Sequence, residues 1–79
     1  MTRLPVVAPR SMIAFLKYLG FEKSRQHGSH IFFRHSDART VTVPDHKGED
    51  LGRGITNKIL HDVEVSRKEF LDWLGKKGR

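Results

Sequence analysis

Met12, Ile13, Phe15, Leu16 and Leu19 recur at intervals of three and four residues, the spacing at which side chains share one face of an α-helix. Pro9 suits the first helical position, where its missing N–H would have no intrahelical partner, and Gly20 is placed to stop the helix. The pattern predicts a helix over Pro9–Leu19 with Arg10, Lys17 and Tyr18 facing away from the core, after an irregular lead-in over residues 1–7. Beyond Gly20 the period shortens. Residues 21–26, then 30–35, then Thr40-Val41-Thr42-Val43 read as strands, separated by turns at Gly28 and at Ser36-Asp37-Ala38-Arg39, with Pro44 ending the third. This is a three-strand antiparallel meander. In its middle strand His30, Phe32 and Arg34 share one face and Ile31, Phe33 and His35 the other. Apolar residues lie on both faces, so alternation leaves the direction of His30 open.

Residues 45–54 are polar and glycine-containing, hence a loop, and Ile55, Ile59, Leu60 and Val63 mark a second helix. A third, short helix has the clearest start. Ser66 and Glu69 form a capping box, Val65 and Phe70 are spaced as a hydrophobic staple, and Phe70, Leu71, Trp73 and Leu74 supply the buried side before Gly75. Lys76, Lys77 and Arg79 form a basic tail. The order predicts one α+β domain over residues 1–79, an α-β-β-β-α sandwich with a short C-terminal helical extension, its core spanning about 9–74 and its tail 75–79. Helices then cover one sheet face and leave the other for a partner.

Length and composition narrow the chemistry. Seventy-nine residues exclude a barrel or Rossmann-type enzyme and leave no room for a large cofactor. The lack of cysteine removes disulfides, thiolate nucleophiles and thiolate metal sites, and fits a reducing compartment. Fifteen Lys and Arg against nine Asp and Glu give a net charge of +6, which points to an anionic partner, most often nucleic acid; an anionic membrane surface, an acidic protein or simple solubility would also fit. There is no apolar run long enough to span a bilayer, and the N-terminal segment is too brief for a secretory signal. The expected setting is the cytoplasm.

The candidate chemistry centres on Gly28-Ser29-His30. A histidine with an ordinary pKa can take and give a proton near neutral pH, which is what cleavage of RNA through its own 2′-hydroxyl requires. Gly28 would let the backbone approach a phosphate and Ser29 offers a hydroxyl and an amide, although both are also ordinary turn formers. His27 is a second titratable group three residues away. His27, His30, His35 and His46 with Asp45 or Glu49 contain the donor types of a zinc site, but none has helical i, i+4 spacing and strand alternation separates His30 from His35. Candidate phosphate contacts are Lys23, Arg25, Arg34, Lys47 and Arg53, with Arg39 and Lys58 in the wider set. Phe32 or Phe33, if exposed, would offer a ring for base stacking.

Gly20-Phe21, Arg25-Gln26, Gly28-Ser29-His30, Arg34-His35, Val41-Thr42-Val43-Pro44, His46, Leu51, Gly54, Ile59-Leu60 and Ser66 followed by Glu69-Phe70 together resemble the HicA toxins, or YcfA-like proteins, of bacterial and archaeal toxin–antitoxin systems. The resemblance covers about residues 9–74. It implies a double-stranded-RNA-binding-domain-like fold and the role of toxin in a type II toxin–antitoxin system. It also implies a metal-independent endoribonuclease without cofactor that cleaves mRNA, with His30 as the catalytic histidine and a HicB antitoxin covering the active face. The alternative is a non-catalytic RNA-binding or antitoxin-binding module of the same fold. The chain departs from the family pattern twice. Gly54-Ile55-Thr56 stands where many relatives have Gly-Thr-Leu, and Glu64 stands where many have a glycine ending the second helix. Glutamate is costly in a left-handed cap, so that helix is expected to end differently.

Overall fold

The computed structural model of the chain describes residues 4–77. Helix α1 runs over Pro9–Leu19, and its periodic residues Met12, Phe15 and Leu16 are fully buried. It stops as the sequence directs. Gly20 adopts φ +103°, its N–H donates to the Lys17 carbonyl at 3.0 Å, and the Phe21 N–H donates to Leu16 at 2.9 Å, the paired bonds of a Schellman motif. A side chain at Gly20 would also crowd His35, since a Cβ there would lie 3.0 Å from its Nε2.

Strands β1 (Glu22–His27), β2 (His30–Arg34) and β3 (Thr40–Pro44) form an antiparallel sheet in the order β1-β2-β3. Helices α2 (Arg53–Asp62) and α3 (Arg67–Lys77) complete an α-β-β-β-α-α arrangement, the double-stranded-RNA-binding-domain-like α+β fold with an added C-terminal helix. Ile31 and Phe33 of β2 and Val41 and Val43 of β3 point to one side of the sheet. There they pack in a single cluster with Met12, Phe15 and Leu16 of α1, with Ile59 and Leu60 of α2, and with Val63 and Phe70. The opposite side of β2 and β3 carries His30, Phe32, Arg34, Thr40 and Thr42 and, among the described residues, has no helix over it. All six residues of β1 are exposed, so this edge strand lies outside the helical cover.

Three features depart from the sequence expectation. The described part of the lead-in is docked: Leu4 and Val7 are buried, and Val7 pairs with Leu51 through a 2.7 Å bond from the Leu51 N–H. Helix α3 continues through Gly75 to Lys77, because one glycine inside a helix costs only about 1 kcal/mol and supplies no stop by itself. Of the expected basic tail, Gly78 and Arg79 lie outside the described residues. Helix α2 ends in the left-handed cap that Glu64 was expected to prevent. Glu64 has φ +60°, its N–H donates to His61 at 3.1 Å, and the Val65 N–H donates to Leu60 at 3.0 Å, repeating the Schellman pattern of α1. Val65 packs against the core, and this contact on the far side of the cap holds Glu64 in a conformation it would not choose alone.

The third helix starts as predicted, with the Glu69 N–H donating to Ser66 Oγ at 3.1 Å. Aromatic contacts then fasten it to α1: the Phe15 ring meets Phe70 edge-on at 4.9 Å and Trp73 at 5.1 Å.

Candidate active site

Gly28 and Ser29 are the two central residues of the β1–β2 hairpin, closed by the His27–His30 pair. Gly28 has φ +62° and Ser29 has a negative φ, the form of a type II′ turn, which demands glycine at its first central position. A Cβ on Gly28 would meet nothing within 4 Å, so the glycine serves the backbone angle and not a close approach of neighbouring chain. The turn delivers His30 to the first position of β2, with its side chain exposed on the open face. Alternation left that direction undecided; burial of Ile31 and Phe33 against the helices decides it.

A bulge in β1 determines which basic residues join His30. Glu22 pairs with Arg34 and Lys23 with Phe33, but Arg25 pairs with Phe32, so Ser24 is an extra residue in the ladder. Its Oγ donates to the Phe32 carbonyl at 3.1 Å. The extra residue reverses the alternation, placing Arg25 and His27 on the open face and Lys23 on the helix side. Arg25 then lies over the Phe32 ring, 4.5 Å from guanidinium carbon to centroid, a cation–π contact that joins a stacking surface to a phosphate-binding charge. Phe33 is buried and offers no ring.

His30, Arg25, Phe32, Arg34 and Thr42 line a groove of about 730 Å³ that crosses β3 to reach Ile55, Lys58 and Asp62 of α2. Ile55 is 44% exposed there. The seven cations singled out from sequence are not equivalent. Arg25 and Arg34 stand in the groove with His30; Lys58 also lines it, but its Nζ donates to Asp62 at 2.8 Å. Lys47 lies in the loop directly after His46. Lys23 donates to Gln26 at 2.8 Å on the other side of β1, and Arg53 donates through Nε to the Leu4 carbonyl at 2.6 Å, so neither is brought to the histidine. Arg39 has a structural occupation: it binds the Asp37 carboxylate, donates to the Val63 carbonyl at the end of α2 and covers the Phe21 ring at 5.2 Å. The Arg39 side-chain bond holds the Asp37 carboxyl below its ordinary pKa, and the same bond raises that of Arg39.

The histidines divide the same way. His35 is on the helix side, its Nε2 3.1 Å from the Leu19 carbonyl and its Nδ1 3.1 Å from both the backbone nitrogen and the carboxylate Oδ1 of Asp37. His46 is brought to the site: its ring stands edge-on to that of His30 with centroids 6.1 Å apart. A signal for this was available in the sequence. Counting back through the turn before β3 pairs His30 with Pro44, two residues short of His46. Among the described residues no group of three or more His, Cys, Asp or Glu side chains is arranged to hold a metal ion.

The family model for the HicA toxin of bacterial toxin-antitoxin systems matches residues 9–65, from the start of α1 past the end of α2. The chain belongs to the HicA toxin family, and is thus the toxin component of a toxin–antitoxin pair. No curated protein matches it. The family match includes His30, His46 and every groove residue named above, and stops before α3. Among the described residues no helix is long and apolar enough to cross a membrane.

Proposed function

We propose that this toxin is an endoribonuclease that cleaves mRNA in the cytoplasm at the open sheet face, with His30 as its catalytic histidine, and that a HicB-type antitoxin silences it by covering that face. The observation that carries the reading is the exposed His30 imidazole at the end of a groove that also holds Arg25, Phe32 and Arg34. A ribonucleotide chain laid along the groove would stack a base on the Phe32–Arg25 surface and set phosphates against the two guanidinium groups. Its 2′-hydroxyl would then lie within reach of His30. Attack of that oxygen on phosphorus needs a base for its proton and positive charge near the developing phosphorane, both of which this face supplies without a metal.

Gly28 and Ser29 act in this reading by shaping the turn that presents His30, with the Ser29 amide and hydroxyl available to phosphate. Replacing His30 with alanine tests the assignment, because His30 makes no core contact and the variant should keep its fold by circular dichroism. Cleavage of an mRNA transcript, and growth arrest on expression, should both fall by about 100-fold or more. Full cleavage by the folded variant would remove His30 from the chemistry. RNA binding without cleavage by the wild type would instead identify a binding module.

A further inference from the structure

We propose that His30 and His46 divide the two proton transfers of RNA cleavage between them, one acting as general base and the other as general acid. The inference rests on the nuclease reading above and adds a second catalytic residue to it. Cleavage through the 2′-hydroxyl is an in-line displacement. The 2′-oxygen loses its proton to the base and forms a bond to phosphorus while the bond from phosphorus to the 5′-oxygen breaks, and that oxygen takes a proton from the acid. The products are a 2′,3′-cyclic phosphate and a free 5′-hydroxyl, and the two imidazoles regain their starting states by proton exchange with water. Entering and leaving oxygens lie on opposite sides of phosphorus, so one imidazole held in place cannot serve both at once. Two proton-transfer groups, too far apart to bond each other and each within about 3 Å of its own oxygen, serve both at once.

The His30 and His46 rings are candidates for the two roles, close together on one face yet too far apart for their nitrogens to bond each other. Both are exposed, and their centroids are 6.1 Å apart in an edge-to-face arrangement. Their spacing is set by backbone and not by the rings. Pro44 is the β3 partner of His30, and the Asp45 N–H donates to the Ser29 carbonyl at 2.6 Å, which ties the hairpin tip carrying His30 to the loop carrying His46. The Glu49 N–H closes a turn onto the His46 carbonyl at 3.0 Å, with Gly48 at φ +80°. The two loops therefore bring the histidines together before substrate arrives. His27, opposite His30 across the hairpin, is the competing second group.

The experiment uses the full chain and an RNA oligonucleotide spanning a cleavage site mapped with wild-type protein, in two forms: natural, and with the leaving 5′-oxygen replaced by sulfur. A thiolate departs without being protonated, so the sulfur substrate has no need of the acid. His46→Gln is expected to cleave the natural RNA about 100-fold slower or worse, His27→Gln to stay within a few fold of wild type. On the sulfur substrate one of the two variants, His30→Gln or His46→Gln, should recover to near the wild-type rate while the other stays impaired. His46→Gly should regain activity with added imidazole, a recovery that a misfolded protein would not give. Wild-type cleavage with an undiminished His46→Gln, or equal response of both variants to the sulfur substitution, overturns the division of labour and leaves the nuclease reading standing. Absence of any cleavage by the wild type defeats that reading itself.

Discussion

Thr56 is a buried hydroxyl whose Oγ1 has no hydrogen-bond partner among the described residues, and its neighbour Ile55 is an apolar side chain at the surface. The two occupy the stretch where the sequence exchanges the family's Gly-Thr-Leu for Gly54-Ile55-Thr56. Helical geometry makes the exchange consequential: adjacent residues are about 100° apart around the axis, so moving the polar residue by one position turns it from the groove into the core. An unpaired buried hydroxyl costs about 1–3 kcal/mol relative to an apolar group of the same shape. Thr56→Val is therefore expected to raise stability by about 1 kcal/mol, measured by urea unfolding with an unchanged m-value, and to leave RNA cleavage untouched. Ile55 remains on the groove lining. The candidate status of His30 was legible from its residue type and its place after a glycine turn. Its exposure was not, because Phe32 and Phe33 are equally apolar and only packing selects the buried one.

Helices α1 and α2 end in the same hydrogen-bond pattern, one with glycine in the left-handed position and the other with glutamate. A left-handed conformation costs a residue with a Cβ about 1–2 kcal/mol, while glycine gives back part of that advantage through its freer unfolded chain. Glu64→Gly is expected to stabilise the fold by about 0.5–1 kcal/mol, a rise of several degrees in Tm for a domain of this size. Differential scanning calorimetry reads it directly; an unchanged or lower Tm would mean that the attraction between Glu64 and nearby Arg39 outweighs the strain. The stop after α1 was legible because glycine there is both a sequence signal and the residue the geometry requires. The stop after α2 runs against the same rule, since the Leu60 and Val65 contacts across the cap are tertiary and do not depend on the residue between them. The bulge at Ser24 belongs to this scale as well. No glycine or proline marks it, yet it transfers Arg25 to the open face and Lys23 away from it.

For the molecule as a whole, the +6 charge matters through its distribution. Each phosphate neutralised on single-stranded nucleic acid contributes about 0.7 to the slope of log affinity against log salt. Arg25→Gln and Arg34→Gln are each expected to lower that slope by about 0.7, measured with 2′-O-methyl RNA, which has no attacking hydroxyl. Lys23→Gln and Arg53→Gln should leave it nearly unchanged, because one lies on the helix side and the other is bound to the Leu4 carbonyl. Equal effects of all four would mean that RNA does not follow the groove. By itself the sequence determined α1, the three-strand order and the Ser66 cap of α3, and it marked His30 as the candidate residue. Periodicity, capping and turn preference act within a few residues and are written locally. Which face His30 occupies and which arginines accompany it were decided by the tertiary structure alone; the β2–β3 register already sets His46 near His30, and the tertiary structure fixed their edge-on meeting. These depend on a one-residue bulge, on the competition of Phe32 and Phe33 for the core, and on a single backbone bond between Ser29 and Asp45, contacts between segments that no local pattern relates.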